Sequence, residues 1–263
     1  MDGIIPLATG WCPTRGLALA LAAEFVDRAP FATSLGALAD LIGVTVRELG
    51  FAYFALVQHA SLASPPPGLV ALHDYPRAWT QRFIATDLYR RDPVHQAAAR
   101  SVTGFAWSRL GEFGPIATQQ RQMLDDARLE GLGEGFTVPL RAPAARLASF
   151  SVAMAGSDPL PTGSLMAAEY LAHMAYGQAL RLVRTLDPAR CVALSRRQTE
   201  CVALVAQGKT DWEIGRILGL SEETITKYLA AARQRFGVAT RTQLAIAALD
   251  QSLLGIGEVR YRQ

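Results

Sequence analysis

The chain has 263 residues, half of them hydrophobic and 19% charged, and its 26 basic against 23 acidic residues leave a net charge of +3. That composition supports a packed core in one large or two ordinary domains and excludes intrinsic disorder as the main state. No apolar run approaches the ~20 residues that a membrane span needs. In chain order, Leu17 to Arg28 and Ser34 to Glu48 read as amphipathic helices, the second with Leu and Ala on one face. Phe51 to Val57 follows Gly50 as a buried strand, Ser64-Pro-Pro-Pro-Gly68 is a turn, and Leu69 to His73 is a second strand. Pro76 to Tyr89 is helical, Asp92-Pro93 opens a short helix, and Phe113 to Leu132 reads as a long helix stopped by the glycines at 131, 133 and 135. Phe136 to Arg141 and Leu147 to Met154 form a hairpin, and Leu160 to Arg184 is a further long helix. Helices at both ends with strands between them predict an α+β layered domain over residues 1–185.

Leu186-Asp187-Pro188-Ala189 reads as a linker, placed at 186–191, because the residue before proline resists helix. Residues 192–263 are then wholly helical. Ser195-Arg-Arg-Gln198 and Thr210-Asp-Trp-Glu213 are capping boxes, and Ser221 caps a third helix whose Ile225, Leu229, Ala232 and Phe236 form a buried stripe. A fourth helix runs from Thr240 to Leu253 and carries Leu244, Ile246, Ala247 and Leu249. Two helices joined by a short turn at Gly219, the second exposing polar and basic residues, have the architecture that enters a DNA major groove.

Charge agrees with that placement. From Val192 onward there are ten Arg/Lys against seven Asp/Glu, while the preceding 191 residues hold sixteen of each. The only lysines, Lys209 and Lys227, lie in the last quarter, so the first 208 residues cannot supply a phosphate-binding or Schiff-base lysine. Cys12, Cys191 and Cys201 are too few and too scattered for a disulfide framework or a zinc site, and His59, His73, His95 and His173 form no metal-binding motif. No G-x-S-x-G elbow is present either, so neither a metal, a cofactor nor an enzymatic activity is expected. Arg15 and the apolar run to Ala23 imitate a secretion signal, but Asp2 is acidic and Glu24 interrupts the run. A cytoplasmic location is expected.

The stretch Leu194-Ser-Arg-Arg-Gln-Thr-Glu200, Gly208-Lys209-Thr210, Glu213-Ile214, Ser221-Glu222, Thr224-Ile225 and Leu229 resembles the LuxR-type helix-turn-helix over about sixty residues. Gln198, Val202 and Tyr228 depart from the usual glutamate, leucine and histidine. Double-stranded DNA is the implied partner. Thr226, Lys227 and Arg233 are candidates for base or groove-edge contacts, and Lys209, Thr210, Arg235 and Arg241 for phosphate contacts. One such module buries little surface, which implies a homodimer on a pseudo-palindromic site, with RNA polymerase as a further partner.

The N-terminal region carries a second resemblance. A phosphoacceptor receiver domain would need a lysine that this region lacks. Tyr75-Pro-Arg-Ala-Trp79, Asp92-Pro93-Val94, Phe105-Ala-Trp107 and Gly135-Phe-Thr-Val-Pro139 are similar to the acyl-homoserine-lactone-binding domain of quorum-sensing LuxR-type regulators. The resemblance implies an α-β-α sandwich around an antiparallel sheet and an N-acyl homoserine lactone as ligand. In that family the Trp79 indole faces the lactone carbonyl; Asp92, as a carboxylate, would accept the amide N–H, and Tyr75 or Ser151 would donate to the acyl carbonyl. Phe51, Tyr53, Leu72, Trp107, Phe136 and Val138 are expected around the acyl tail, with Phe83, Val94 and Phe105 also in the binding site. Read without the family, Tyr75, Trp79 and Phe83 make an ordinary core stripe and Asp92-Pro93 an ordinary helix start. Phe83 replaces the family's usual tyrosine, whose hydroxyl helps bind the acyl carbonyl. Either Tyr75 and Ser151 carry that contact, or the acyl group is unusual, or the signal is not an acyl lactone. The alternatives to an acyl-lactone receptor are an orphan regulator answering a non-lactone signal and a regulator that heterodimerises with another and silences it.

Overall fold

The computed structural model describes residues 12–63, 65–66, 68–142, 145–186, 194–250 and 253–254, and the chain divides into two compact units near residue 187. The linker expected at 186–191 lies outside the described residues except for Leu186, the last residue of a helix, and Asp2 and Cys191 lie outside them too.

The first unit is built from α1 (Arg15–Arg28), α2 (Leu35–Glu48), β1 (Tyr53–Gln58), β2 (Ala71–His73), α3 (Arg77–Ala85), α4 (Pro93–Arg100), β3 (Phe105–Ala106), α5 (Thr118–Leu129), β4 (Leu132–Leu140), β5 (Ala148–Ala155) and α6 (Leu165–Leu186). The strands form one antiparallel sheet in the order β2-β1-β5-β4-β3. Helices α1, α2 and α6 pack together on one face, and α4 and α5 lie against the other. This is an α-β-α sandwich. Its register sorts the strand residues cleanly, because successive side chains point to opposite faces. Phe54, Leu56, Phe136, Val138, Phe150 and Val152 share the face under α6 and are all buried. Ala55, Thr137, Ser149, Ser151 and Ala153 share the other.

Three elements differ from the sequence reading, each for a local reason. Helix α3 stops at Ala85, where the Thr86 hydroxyl donates to the Arg82 carbonyl at 2.8 Å and Asp87 turns left-handed at φ 53°. Asp is among the few side chains that tolerate that region. Helix α5 begins at Thr118 rather than Phe113, since Gly114 precedes Pro115 and cannot continue a helix; Trp107–Phe113 is a 3-10 turn instead. Leu132, Gly133 and Gly135 belong to strand β4. The glycine at 135 answers a steric demand, because a Cβ there would overlap the Trp107 indole.

The second unit comprises α7 (Arg196–Ala206), α8 (Asp211–Leu218), α9 (Glu222–Phe236) and α10 (Arg241–Asp250). Ser195, Thr210 and Ser221 cap their helices by accepting from the N–H of Gln198, Glu213 and Thr224 at 3.2–3.3 Å. Gly219 holds the turn between α8 and α9 at φ 68°, a conformation costly for any residue with a Cβ. The core gathers Cys201, Val202, Val205, Ile214, Ile225, Leu229, Ala232, Leu244 and Ala248. Ile246 is 61% exposed, so the inner stripe of α10 runs through Leu244 and Ala248.

Candidate functional site

The sheet face opposite α6 carries a cavity of about 120 Å³ between β1, β2, β5 and helices α3, α4 and α5. Tyr75, Trp79, Phe83, Asp92, Val94, Trp107 and Ser151, all singled out by the sequence, line it together. Trp79 stands on α3 and packs with Met123, Ala127, Leu132 and Ala153. Its ring lies 5.7 Å from that of Phe83, one helical turn on. Its indole N–H makes no hydrogen bond to any described residue. Asp92 is the N-cap of α4, so the ordinary reading of Asp92-Pro93 holds: one carboxylate oxygen accepts the Val94 N–H at 2.8 Å. The other lies 3.6 Å from His95 Nε2, and the side chain still borders the cavity. A capping role and a ligand-facing role coexist because a carboxylate has two oxygens.

A fixed polar chain runs across the cavity floor. Trp107 Nε1 donates to Thr137 Oγ1 at 2.8 Å, and Thr137 Oγ1 bonds Ser151 Oγ at 2.8 Å. Ser151 in turn hydrogen-bonds Tyr75. Burial pushes the Tyr75 phenol far above its ordinary value; the Ser151 bond opposes the shift and the charges of Asp92 and Asp74 add to it. Tyr75 therefore keeps its proton throughout the physiological range and remains a donor.

Other residues expected around the acyl tail lie elsewhere. Phe136 and Val138 sit on the opposite face of the sheet, because their neighbour Thr137 takes the cavity side, where it is buried under Trp107 and beside Ser151. Phe136 packs at Gly104, whose N–H is held by Glu169 of α6 at 2.6 Å. Leu72 pairs with Leu56 and shares that far face. Phe105 is buried behind α4 with Val94, Ala97, Ala98 and Leu110. Tyr53 does not line the cavity but meets Tyr75 edge-on at 6.4 Å, and Phe51 is buried outside the lining. Conversely, the cavity is bordered by His95, Ser149, Ile84, Met123 and Leu132, none of which the sequence reading selected. Ser149 was within reach of strand alternation, being two residues from Ser151; His95 was one turn after Asp92. The stacking of His95 on His59, with centroids 4.1 Å apart, had no local signal.

In the helical unit the exposed face of α9 presents Thr226, Lys227, Ala230 and Gln234. Lys227 pairs at 2.7 Å with Glu223, both of them largely solvated. The other candidates, the Lys209 side chain apart, are engaged within the domain. Thr226 Oγ1 donates to Asp211 at 2.9 Å and to the Glu222 carbonyl at 3.1 Å. Arg241 bonds Asp211 at 3.0 Å and the Lys209 carbonyl at 2.5 Å. Arg235 reaches Gln198 at 3.0 Å, Arg233 reaches the Ala239 carbonyl at 3.5 Å, and Thr210 completes its capping box with Glu213. Asp211 is thus the tie between α8, α9 and α10, a role the sequence did not disclose. Gln198, a departure from the family pattern, both closes the α7 capping box and receives Arg235.

A sheet-floored cavity with convergent polar groups, followed by a helix-turn-helix, defines a sensor-regulator of transcription. Residues 34–179 match the family described as autoinducer binding domain, and residues 192–248 match the bacterial regulatory proteins of the luxR family. The chain belongs to the LuxR-type quorum-sensing transcriptional regulators, a family of DNA-binding regulators and not of enzymes. It is 28% identical over 240 residues to the transcriptional activator protein AhyR of Aeromonas hydrophila, covering 88% of this chain and 91% of that protein. It is also 28% identical over 233 residues to the quorum sensing-dependent transcriptional regulator RpaR of Rhodopseudomonas palustris, covering 89% and 94%. The crystal structure of Escherichia coli SdiA shares the fold with a TM-score of 0.72 at 20% identity, covering 90% of this chain and 99% of that one. A structure of SdiA in complex with octanoyl-rac-glycerol gives 0.73 at 20% identity, covering 93% and 97%. Among the described residues no helix is long and apolar enough to cross a membrane.

Proposed function

We propose that the chain is a cytoplasmic receptor for an N-acyl homoserine lactone that binds a pseudo-palindromic promoter site as a homodimer and acts through RNA polymerase. The observation that carries the ligand is the pairing of an unpartnered indole N–H with a carboxylate in one cavity. Trp79 can only donate and Asp92, as a carboxylate, only accept, which matches a lactone carbonyl beside an amide N–H. Tyr75 and Ser151 stand ready for the acyl carbonyl. An ester lacks the amide proton, and burying the Asp92 oxygen against it without a partner costs about 1–3 kcal/mol.

Cavities of roughly 150 Å³ take up benzene, and an acyl lactone has more atoms, so the cavity of about 120 Å³ is expected to widen on binding. Binding then reshapes the core and couples signal to folding. Dimerisation is supported by a stripe of exposed apolar residues on α6, Met166, Tyr170 and Met174, at successive helical turns. On α9, Lys227 and the Thr226 methyl would meet the groove, with Lys209 on phosphate. Activation through polymerase is supported by the relatives named as transcriptional activators. The test is DNA binding and thermal melting of the purified full chain with and without acyl lactones. A rise in both with lactone is expected; DNA binding that ignores every lactone would favour the orphan reading that Phe83 motivates.

A further inference from the structure

The cavity has a second polar station beyond the one that receives the amide. Along β5 the positions on the cavity side of the sheet are Ala153, Ser151 and Ser149 in steps of about 7 Å, and the two serines line the cavity itself. Ala153 lies beneath Trp79 in a shared apolar cluster, and Ser151 carries the Tyr75 and Thr137 bonds. A signal whose lactone sits at Trp79 and whose acyl carbonyl sits at Ser151 therefore runs its tail toward Ser149. An unsubstituted hydrocarbon tail calls for an apolar wall there. The wall there is mixed: Val57, the cross-strand partner of Ser149, and Ala71 and Leu62 are apolar, but beside them the chain sets a serine hydroxyl, 2.9 Å from His59 Nε2, and the largely buried His95 ring stacked on His59. Both Ser149 and His95 border the cavity.

We propose, on the basis of the acyl-lactone reading above, that the signal's acyl group ends in a hydroxyl about 7 Å beyond its amide carbonyl, one strand step along β5, bound by Ser149 and His95. The chemistry selects a hydroxyl. It both donates and accepts, so it satisfies a serine–histidine pair in either tautomer of the ring. A terminal carboxylate would face the Asp92 side chain, which lies 3.6 Å from His95 Nε2, and an alkyl end would leave Ser149 without a partner on the cavity side. The residue at 83 fits the same picture. Phe83 meets His95 edge-on at 6.2 Å; it brings no hydroxyl to the carbonyl end of the cavity, and the polar groups stand at the tail end instead.

The experiment compares ligands that differ only in that oxygen: hexanoyl against ω-hydroxyhexanoyl homoserine lactone, and phenylacetyl against para-hydroxyphenylacetyl homoserine lactone. Affinities are read on the full chain by calorimetry. The hydroxylated member of at least one pair binds on the order of tenfold more tightly to the wild type, and the preference collapses toward unity in Ser149→Ala and in His95→Phe. Wild-type affinities that are equal, or that favour the plain ligand, overturn the inference while leaving the lactone reading standing. A preference that survives unchanged in both variants also overturns it. If none of the four lactones binds, the lactone reading falls and this inference falls with it. Should Ser149→Ala fail to fold, the wild-type ratio and His95→Phe decide the matter.

Discussion

Asp92 shows how one side chain serves fold and site at once. One oxygen caps α4 through the Val94 N–H, and the side chain borders the cavity. Asparagine caps helices about as well as aspartate but offers a donor where the carboxylate offered only acceptors. Asp92→Asn is therefore expected to leave the melting midpoint nearly unchanged while weakening acyl-lactone binding on the order of tenfold or more; parallel melting and calorimetry separate the two. An equal loss in both would make Asp92 structural only. Phe83 is the complementary case, a missing hydroxyl between Trp79 and His95. Phe83→Tyr restores it, and straight-chain lactones should then bind several-fold more tightly, as one neutral hydrogen bond adds about 0.5–1.5 kcal/mol. Unchanged binding would show that Tyr75 and Ser151 already satisfy the acyl carbonyl.

At the scale of elements, two devices hold functional side chains in place. The Trp107 indole packs directly against β4 because position 135 is glycine, and it is then fixed by its bond to Thr137. Gly135→Ala would push the ring into the cavity, costing about 1–3 kcal/mol as an overpacked core. The expected outcome is a lower melting midpoint together with weaker lactone binding, and a variant that melts and binds like the wild type would overturn the argument. In the helix-turn-helix, Asp211 at the start of α8 holds Thr226 of α9 and Arg241 of α10, whereas Lys227 faces solvent with Glu223. Lys227→Ala is expected to weaken DNA binding across sequences and to reduce the salt slope by about one. Asp211→Ala should instead lower the melting midpoint, by about 1 kcal/mol of stability for partly exposed contacts, and blur operator preference as α9 loses its tether. Binding titrations at several salt concentrations distinguish a contact from a support.

For the whole molecule, a signal bound in a cavity inside the sandwich would make signal and stability one equilibrium. The apolar side chains of Ile84, Met123 and Leu132 line the cavity, so the apolar atoms of a bound ligand would gain packing contacts there that only the folded sandwich offers. A ligand at one hundred times its dissociation constant stabilises the bound state by about 2.7 kcal/mol. Soluble yield and melting midpoint should both rise when the matching lactone is present during expression, measured against a culture without it. Equal values would uncouple binding from folding and leave dimer formation, read by sedimentation, as the route from signal to DNA.

Much of this was legible in the chain itself. The capping boxes at Ser195 and Thr210, the turn at Gly219 and the apolar stripe of α9 are local patterns, and helices are built from local contacts, so the helix-turn-helix could be read residue by residue. Trp79, Asp92 and Ser151 could be picked out through a family pattern. What no local pattern could carry was the sorting of side chains between the two faces of the sheet: Phe136 and Val138 are as apolar as any tail-binding wall, yet β4 points them at α6 because Thr137 takes the cavity side. Nor could it show that Asp211 ties three helices, or that His59 and His95 meet. Those facts depend on strand register and on segments distant in sequence coming together, and only the tertiary structure decides which residues share a face.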